Sequence, residues 1–301
     1  NLTKKSLSLC HIQKTMRLPT PLLRCNSKAH KNTFGHVLVV AGSKRMLGAG
    51  ALASLSAMRA GAGLVTLAIP KSLNAVAQKK ISPVIMTFPL KETRDQTISP
   101  LALHDIKKEL SKYQAIALGP GLSQNKQTKN FVLEIISSVR NPIVIDADAL
   151  NALSENISTL ATRGGIRILT PHPGEMSRLT GKTKTYIESH RESVVKTFAK
   201  KHNCILILKG SRSVVASPYG KIYINKTGNA GLATAGSGDV LTGIIAAFLA
   251  QGLSGFDAAK YATFLHGKAS DIAAKKKTKV SLIATDLIDN IPRAFKNSIK
   301  T

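Results

Sequence analysis

Short runs of apolar, mostly β-branched residues alternate along this chain with longer Ala- and Leu-rich stretches whose apolar positions recur at helical spacing. The first run, residues 34–43 (FGHVLVVAGS), reads as a buried strand ending in small residues, and 48–63 follows as an amphipathic helical segment. Residues 64–69 form a second strand closed by Pro70, and 83–88 a third. Further strands fall at 115–118, at the start of 142–150, at 166–169 and at 204–208; helices follow Asp239 and span 261–274. Apolar runs of this kind are strands covered on both faces. The pattern therefore predicts a three-layer α/β/α sandwich around a mostly parallel sheet. No repeat of fixed period and no Pro/Ser-rich linker interrupts it, so a single domain over 18–301 is expected behind a basic arm, 1–17.

An open parallel sheet binds ligands beyond the C-terminal ends of its strands. The residues with chemistry to offer gather there. The strand at 115–118 runs into Gly119-Pro120-Gly121, where the backbone either approaches a ligand or simply turns. After 142–145 come Asp146 and Asp148, as ligand-facing carboxylates or as caps of the next helix. After 166–169 comes T-P-H-P-G-E, in which two prolines stiffen the turn that presents His172 and Glu175; Glu175 also suits a helix N-terminus. After 204–208 come Lys209 and Gly210, a cation placed to meet phosphate. His266, on the 261–274 helix, reads as a packed rather than a catalytic residue.

The organising stretch is 227–243, TGNAGLATAGSGDVLTG, which runs straight into an apolar helix. Gly236, Ser237 and Gly238 lack bulk where that helix begins, so backbone N–H groups can converge on an anion. Asp239 then falls in the first turn, either as a partner of the helix dipole or as a general base beside the anion hole. No Lys follows the glycines as in a Walker A loop, and no strand precedes them as in a dinucleotide fingerprint.

Composition narrows the function further. The chain of 301 residues is 43% hydrophobic, enough for a full core, while 4% aromatic content and no Trp argue against stacking on single-stranded nucleic acid. Net charge is +27 and no acid occurs before Glu92, but the basic residues are scattered apart from Lys275 to Lys277 and Lys279. A Lys-rich solvated surface that also attracts a polyanionic small substrate fits this, and no nucleic-acid or membrane partner is expected. Cys10, Cys25 and Cys204 form no C-x-x-C pair, which fits a reducing cytoplasm; the Ser-containing basic arm has the look of a transit peptide, leaving organellar import as the other reading.

In chain order these motifs resemble the NAD(P)H-hydrate dehydratases of the ribokinase-like superfamily, across nearly all of 18–295. The carriers are 34–43, Gly119-Pro120-Gly121, D-A-D-A-L at 146–150, T-P-H-P-G-E at 170–175, Lys209-Gly210, and 227–229 through Gly236-Ser237-Gly238-Asp239. The resemblance implies a repair enzyme that phosphorylates the C6 hydroxyl of hydrated NADH or NADPH with ADP or ATP and Mg2+, then eliminates phosphate. It implies Asp239 as base, an anion hole from Gly236, Ser237 and Gly238, and nucleotide contacts from Lys209, Gly210, Ser211, Arg212, Ser213 and Gly238. It also implies substrate contacts from Ala49, Gly121, His172 and Asp239, with Asp146, Asp148, Glu175 and Asn229 in support and the metal ligands unassigned. Asn32, Ala230, Ala235 and Ser213 depart from the common pattern without removing a reacting group. The Gly-Ser-Gly-Asp form points to ADP before ATP. A homotetramer and a companion NAD(P)H-hydrate epimerase, fused upstream in many bacterial members, are expected as partners. A small-molecule kinase of the same fold, acting on a vitamin-precursor alcohol, is the alternative.

Overall fold

The computed structural model describes residues 16–23, 28–161 and 164–299; most of the basic arm, with Cys10 and Cys25, lies outside them. Among these residues nine strands form one sheet in the order β3-β2-β1-β4-β5-β6-β7-β8-β9. Seven are parallel: β1 His36–Val40, β2 Leu64–Pro70, β3 Met86–Leu90, β4 Ala115–Leu118, β5 Ile143–Ile145, β6 Arg167–Leu169 and β7 Ile205–Leu208. These are the seven expected from the apolar runs, shifted by at most three residues at an end. The antiparallel hairpin β8 Val214–Ala216 and β9 Ile222–Ile224 was not expected, because strands of three residues carry almost no periodic signal.

Side chains along the parallel strands divide by parity. Val37 and Val39, Ala115 and Ala117, and Ile205 and Ile207 enter one core, while Leu38 and Val40, Ile116 and Leu118, and Leu206 and Leu208 enter the other. The first core is closed by helices Leu47–Arg59, Ser237–Ala250, Gly255–Lys276 and Ala284–Ile299. The second is closed by Ala102–Glu109, Lys126–Ser138, Asp148–Glu155, Pro173–Thr180 and Arg191–Lys201. Phe248 and Phe131, both wholly buried, anchor one layer each, contributing roughly 1.5–3 kcal/mol apiece. Among the described residues no helix is long and apolar enough to cross a membrane.

Two features of this frame place the site. The strand order reverses between β1 and β4, and the Gly42 N–H donates to Pro120 O (2.8 Å) across the crevice that opens there. Helix Ser237–Ala250 lies hard against Leu47–Arg59 at Gly243, where a Cβ would stand 2.1 Å from both Ala53 O and Ser56 Oγ. That close approach fixes where the Ser237 end of the helix points.

Candidate active site

Several helix starts among the described residues are closed by a side chain. Asn125, His172 and Ser254 each accept from first-turn N–H groups of the helix they precede. The helix Ser237–Ala250 begins instead at Gly236, held at φ +82°, with no side chain to cap it. Its first N–H, from Ser237, bends back to Thr234 O at 3.4 Å. Those of Gly238 and Asp239 have no partner among the described residues. Lys209 brings an ammonium to the same place, since a Cβ on Gly238 would lie 3.3 Å from its Nζ. Free N–H groups, a helix N-terminus and a cation thus converge on one small space, which is the chemistry of an anion site.

Around it the carboxylates differ sharply. Asp146, 1% exposed, is ion-paired with Lys209 Nζ (2.7 Å) and accepts from Thr242 Oγ1 (2.8 Å). Burial alone would raise its pKa, but the Lys209 charge, together with hydrogen bonds from Lys209, Thr170 and Thr242, holds it below the ordinary carboxylate value. Lys209 is raised in turn: the charges of Asp146 and Glu175 outweigh its desolvation. Asp239 has no such counterion in contact. Burial, with the neighbouring charge of Asp146, pushes its proton up to about 7 against the pull of Lys209. A carboxylate poised near neutrality is suited to take a proton from a substrate hydroxyl.

The Pro-His-Pro-Gly-Glu turn is a reciprocal cap. His172 Nδ1 accepts from the N–H groups of Gly174 (3.0 Å) and Glu175 (3.2 Å), and Glu175 Oε2 accepts from the His172 N–H (2.7 Å). With Nδ1 accepting, a neutral His172 ring carries its proton on Nε2, which lies 3.5 Å from Glu175 Oε1 on a half-exposed imidazole. Burial, then Lys209, lowers its pKa. Glu175 is 5% exposed with Oε2 3.8 Å from Lys209 Nζ, and burial raises its proton to about 7. It is therefore both a helix-start acid and a member of the charged cluster.

Ala49 and Gly121 meet at the crevice, where a Cβ on Gly121 would lie 2.7 Å from Met46 O and 3.0 Å from the Ala49 Cβ. Asp148 does not cap its own helix; it accepts from the Ser123 N–H (2.8 Å) and Gln124 Nε2 (2.5 Å), anchoring the chain beyond Gly121. Gly210, Ser211, Arg212 and Ser213 form the β7–β8 loop, with Ser211 and Arg212 exposed. Asn229 is not brought to the cluster: its amide donates to Ser270 Oγ and Asp271 Oδ1 (3.0 Å each), and its oxygen accepts from the Gly231 N–H (2.9 Å).

Three contributors had not been singled out. Thr242 lies one turn after Asp239, a spacing that could have revealed it. Arg191 donates to Leu208 O (3.0 Å) and Lys209 O (3.2 Å), holding the end of β7, and Asn225 knots the following loop; nothing local marks either.

A mostly parallel sheet of this order is a ribokinase-like α/β fold, shared by solved ribokinase-like proteins, and here its C-terminal edge holds an uncapped helix N-terminus, a cation and a near-neutral carboxylate. A family model described as NAD(P)H-hydrate dehydratase matches residues 37–293, and the chain belongs to that family. It is 44% identical over 276 residues to the bifunctional NAD(P)H-hydrate repair enzyme Nnr of Moorella thermoacetica, covering 92% of this chain and 52% of that one. It is 38% identical to an ADP-dependent (S)-NAD(P)H-hydrate dehydratase of Neisseria meningitidis, covering 87% and 84%. The ADP/ATP-dependent NAD(P)H-hydrate dehydratase of Bacillus subtilis, solved after co-crystallisation with ATP and Mg2+, superposes with a TM-score of 0.78 at 30% identity, covering 94% and 95%. The chain spans about half the length of the first bifunctional relatives it matches.

Proposed function

We propose that this chain catalyses nucleotide-dependent dehydration of the S epimer of hydrated NADH or NADPH, with ADP as the favoured donor and ATP as the second. The observation that carries it is Asp239, a carboxylate with its proton held up to about 7 beside two unpartnered N–H groups and Lys209. Ionised Asp239 takes the proton of the C6 hydroxyl as its oxygen attacks the terminal phosphoryl group, whose bond to the bridging oxygen breaks and releases AMP from ADP or ADP from ATP. The Gly238 and Asp239 N–H groups and Lys209 take up charge on the transferring oxygens. The C6–O bond then breaks with phosphate keeping its electron pair, the C5 proton is lost, and the C5–C6 double bond of the reduced nicotinamide is restored. Phosphorylation turns a poor leaving group into a good one.

The residues present fit a Mg2+ that arrives with the nucleotide rather than one caged by protein. Among the described residues no group of three or more His, Cys, Asp or Glu side chains could hold a metal, and Asp146 and Asp148 are already engaged. Glu175 is engaged as well, its Oε2 accepting from the His172 N–H and lying 3.8 Å from Lys209 Nζ, so the ion would be held by the phosphates of the nucleotide and by water. Such an ion neutralises phosphate charge. Lys209 and the β7–β8 loop through Ser213 bind the nucleotide in this scheme, while Ala49, Gly121 and the His172 Nε2–H face the hydrated dinucleotide. The reading extends to a cytoplasmic homotetramer working beside an NAD(P)H-hydrate epimerase, which follows the family pattern.

The test is absorbance at the reduced-nicotinamide band as hydrated NADH is mixed with protein, Mg2+ and either ADP or ATP. Recovery of the band with ADP is expected. No recovery with either nucleotide, alongside phosphorylation of a vitamin-precursor alcohol, would replace this function with the kinase one.

A further inference from the structure

The anion hole is aimed by a residue outside it. Helix Gly255–Lys276 runs beside the whole glycine-rich stretch, and one of its faces holds both ends. Near the start, Gly228 N–H and the Asn229 amide bond to Asp271, and Gly267 lets Thr227 in so closely that a Cβ there would lie 2.3 Å from Thr227 Oγ1. Near the end, one residue before Gly267, His266 Nε2 lies 3.0 Å from Ser237 O and 3.3 Å from Ser237 Oγ.

A carbonyl oxygen only accepts, so Nε2 carries the proton and donates. The peptide joining Ser237 to Gly238 is planar and trans, so its C=O and N–H point in opposite directions. The Gly238 N–H therefore points the opposite way from the oxygen that His266 holds, out of the N-terminal end of the helix, and Lys209 Nζ lies close by, 3.3 Å from where a Cβ on Gly238 would stand. The bond also polarises the peptide, making its N–H a better donor. The helix pattern already gives this carbonyl the Leu241 N–H, and His266 adds a second donor to it in the first turn, where Gly236 supplies no side-chain cap and the peptide's second residue is a glycine. The ring is 7% exposed, and burial lowers its pKa to about 4, so it serves as a neutral donor throughout the working range.

We propose that His266 is a positioning residue for phosphoryl transfer, fixing the Gly238 N–H in the anion hole through its bond to the Ser237 carbonyl. This rests on the dehydratase reading, and the experiment separates the two. Steady-state kinetics with hydrated NADH and ADP are compared for the wild type, His266→Leu, which removes the donor, and His266→Gln, whose amide nitrogen can reach the same oxygen. In His266→Leu, kcat is expected to fall about tenfold to a hundredfold, below the full loss of an anion-hole donor, with KM values within about twofold. His266→Gln should recover most of it. In parallel, the 15N–1H resonance of Gly238 is followed in both variants without substrate: it should move and its amide exchange faster in His266→Leu, but not in His266→Gln. An unchanged Gly238 resonance and exchange rate in a folded His266→Leu protein would overturn the inference whatever the reaction is. Equal kcat loss in both variants, tracking their melting midpoints, would also overturn it by making the role structural. An inactive wild type with the expected Gly238 behaviour would strike the dehydratase reading alone.

Discussion

Two polar clusters stand a few residues apart on the same glycine-rich stretch, and they are finished differently. In the first, Asn225 donates to Thr227 O and Thr263 O and accepts from Tyr223 and Thr227, while Asn229 spans Ser270, Asp271 and Gly231. These groups are answered within the protein. In the second, Asp146 and Lys209 are paired, but the Gly238 and Asp239 N–H groups are unpartnered and the protons of Asp239 and Glu175 are held up to about 7. The first cluster stabilises a loop; the second holds free energy in reserve for a ligand. Chemistry belongs where polar groups are buried and left unanswered.

The largest break of this contrast is Asp239→Asn. Turnover should fall by a hundredfold or more with ADP affinity within about twofold, read by steady-state kinetics and calorimetry. Stability should move the other way at alkaline pH. The folded pKa of Asp239 stands above that of an unfolded carboxylate, about 3.9, so its contribution to stability is present below that value and lost as pH rises through about 7. Asn removes this dependence, and its melting midpoint at pH 8 should exceed that of the wild type.

Lys209→Met comes next. It leaves Asp146 buried with only the Thr242 and Thr170 hydroxyls beside it, and losing one member of a buried pair typically costs about 3–5 kcal/mol, read by denaturant unfolding. ADP affinity should weaken about tenfold or more if the ammonium meets phosphate; unchanged affinity would remove that contact.

The pH profile is a smaller lever. Asp239 must be ionised to act, so kcat/KM should rise with pH and level off above about 7, with a rate at pH 6 about tenfold below the plateau. A profile flat from pH 5.5 to 8 would sink the base assignment. The smallest kinetic effect is expected from the satisfied cluster. Asn225→Ala should lower stability by about 1–3 kcal/mol yet leave turnover per folded molecule within about twofold. A large kinetic loss there would erase the distinction between the clusters.

Much of this was legible in the chain. The apolar runs gave seven strands near their true places because parallel strands are covered on both faces, and the glycine-aspartate helix start stood out because three small residues precede an acid. The hairpin β8–β9 was too short to register, and Pro292 hid the C-terminal helix Ala284–Ile299.

By itself, then, the sequence determined the sheet, the strand ends where the candidate site gathers, and the residue types set along them, because periodicity and turn chemistry are local properties. Only the tertiary structure decided which acid is which. Asp146 and Asp148 are two residues apart and alike in sequence, yet one is paired with Lys209, 63 positions away, and the other is tied to the loop after Gly121. The proton on Asp239 and the aim of the Gly238 N–H depend likewise on burial and on His266, 29 positions from Ser237. Charge and desolvation act through space, and neighbours in space are fixed only when the layers pack.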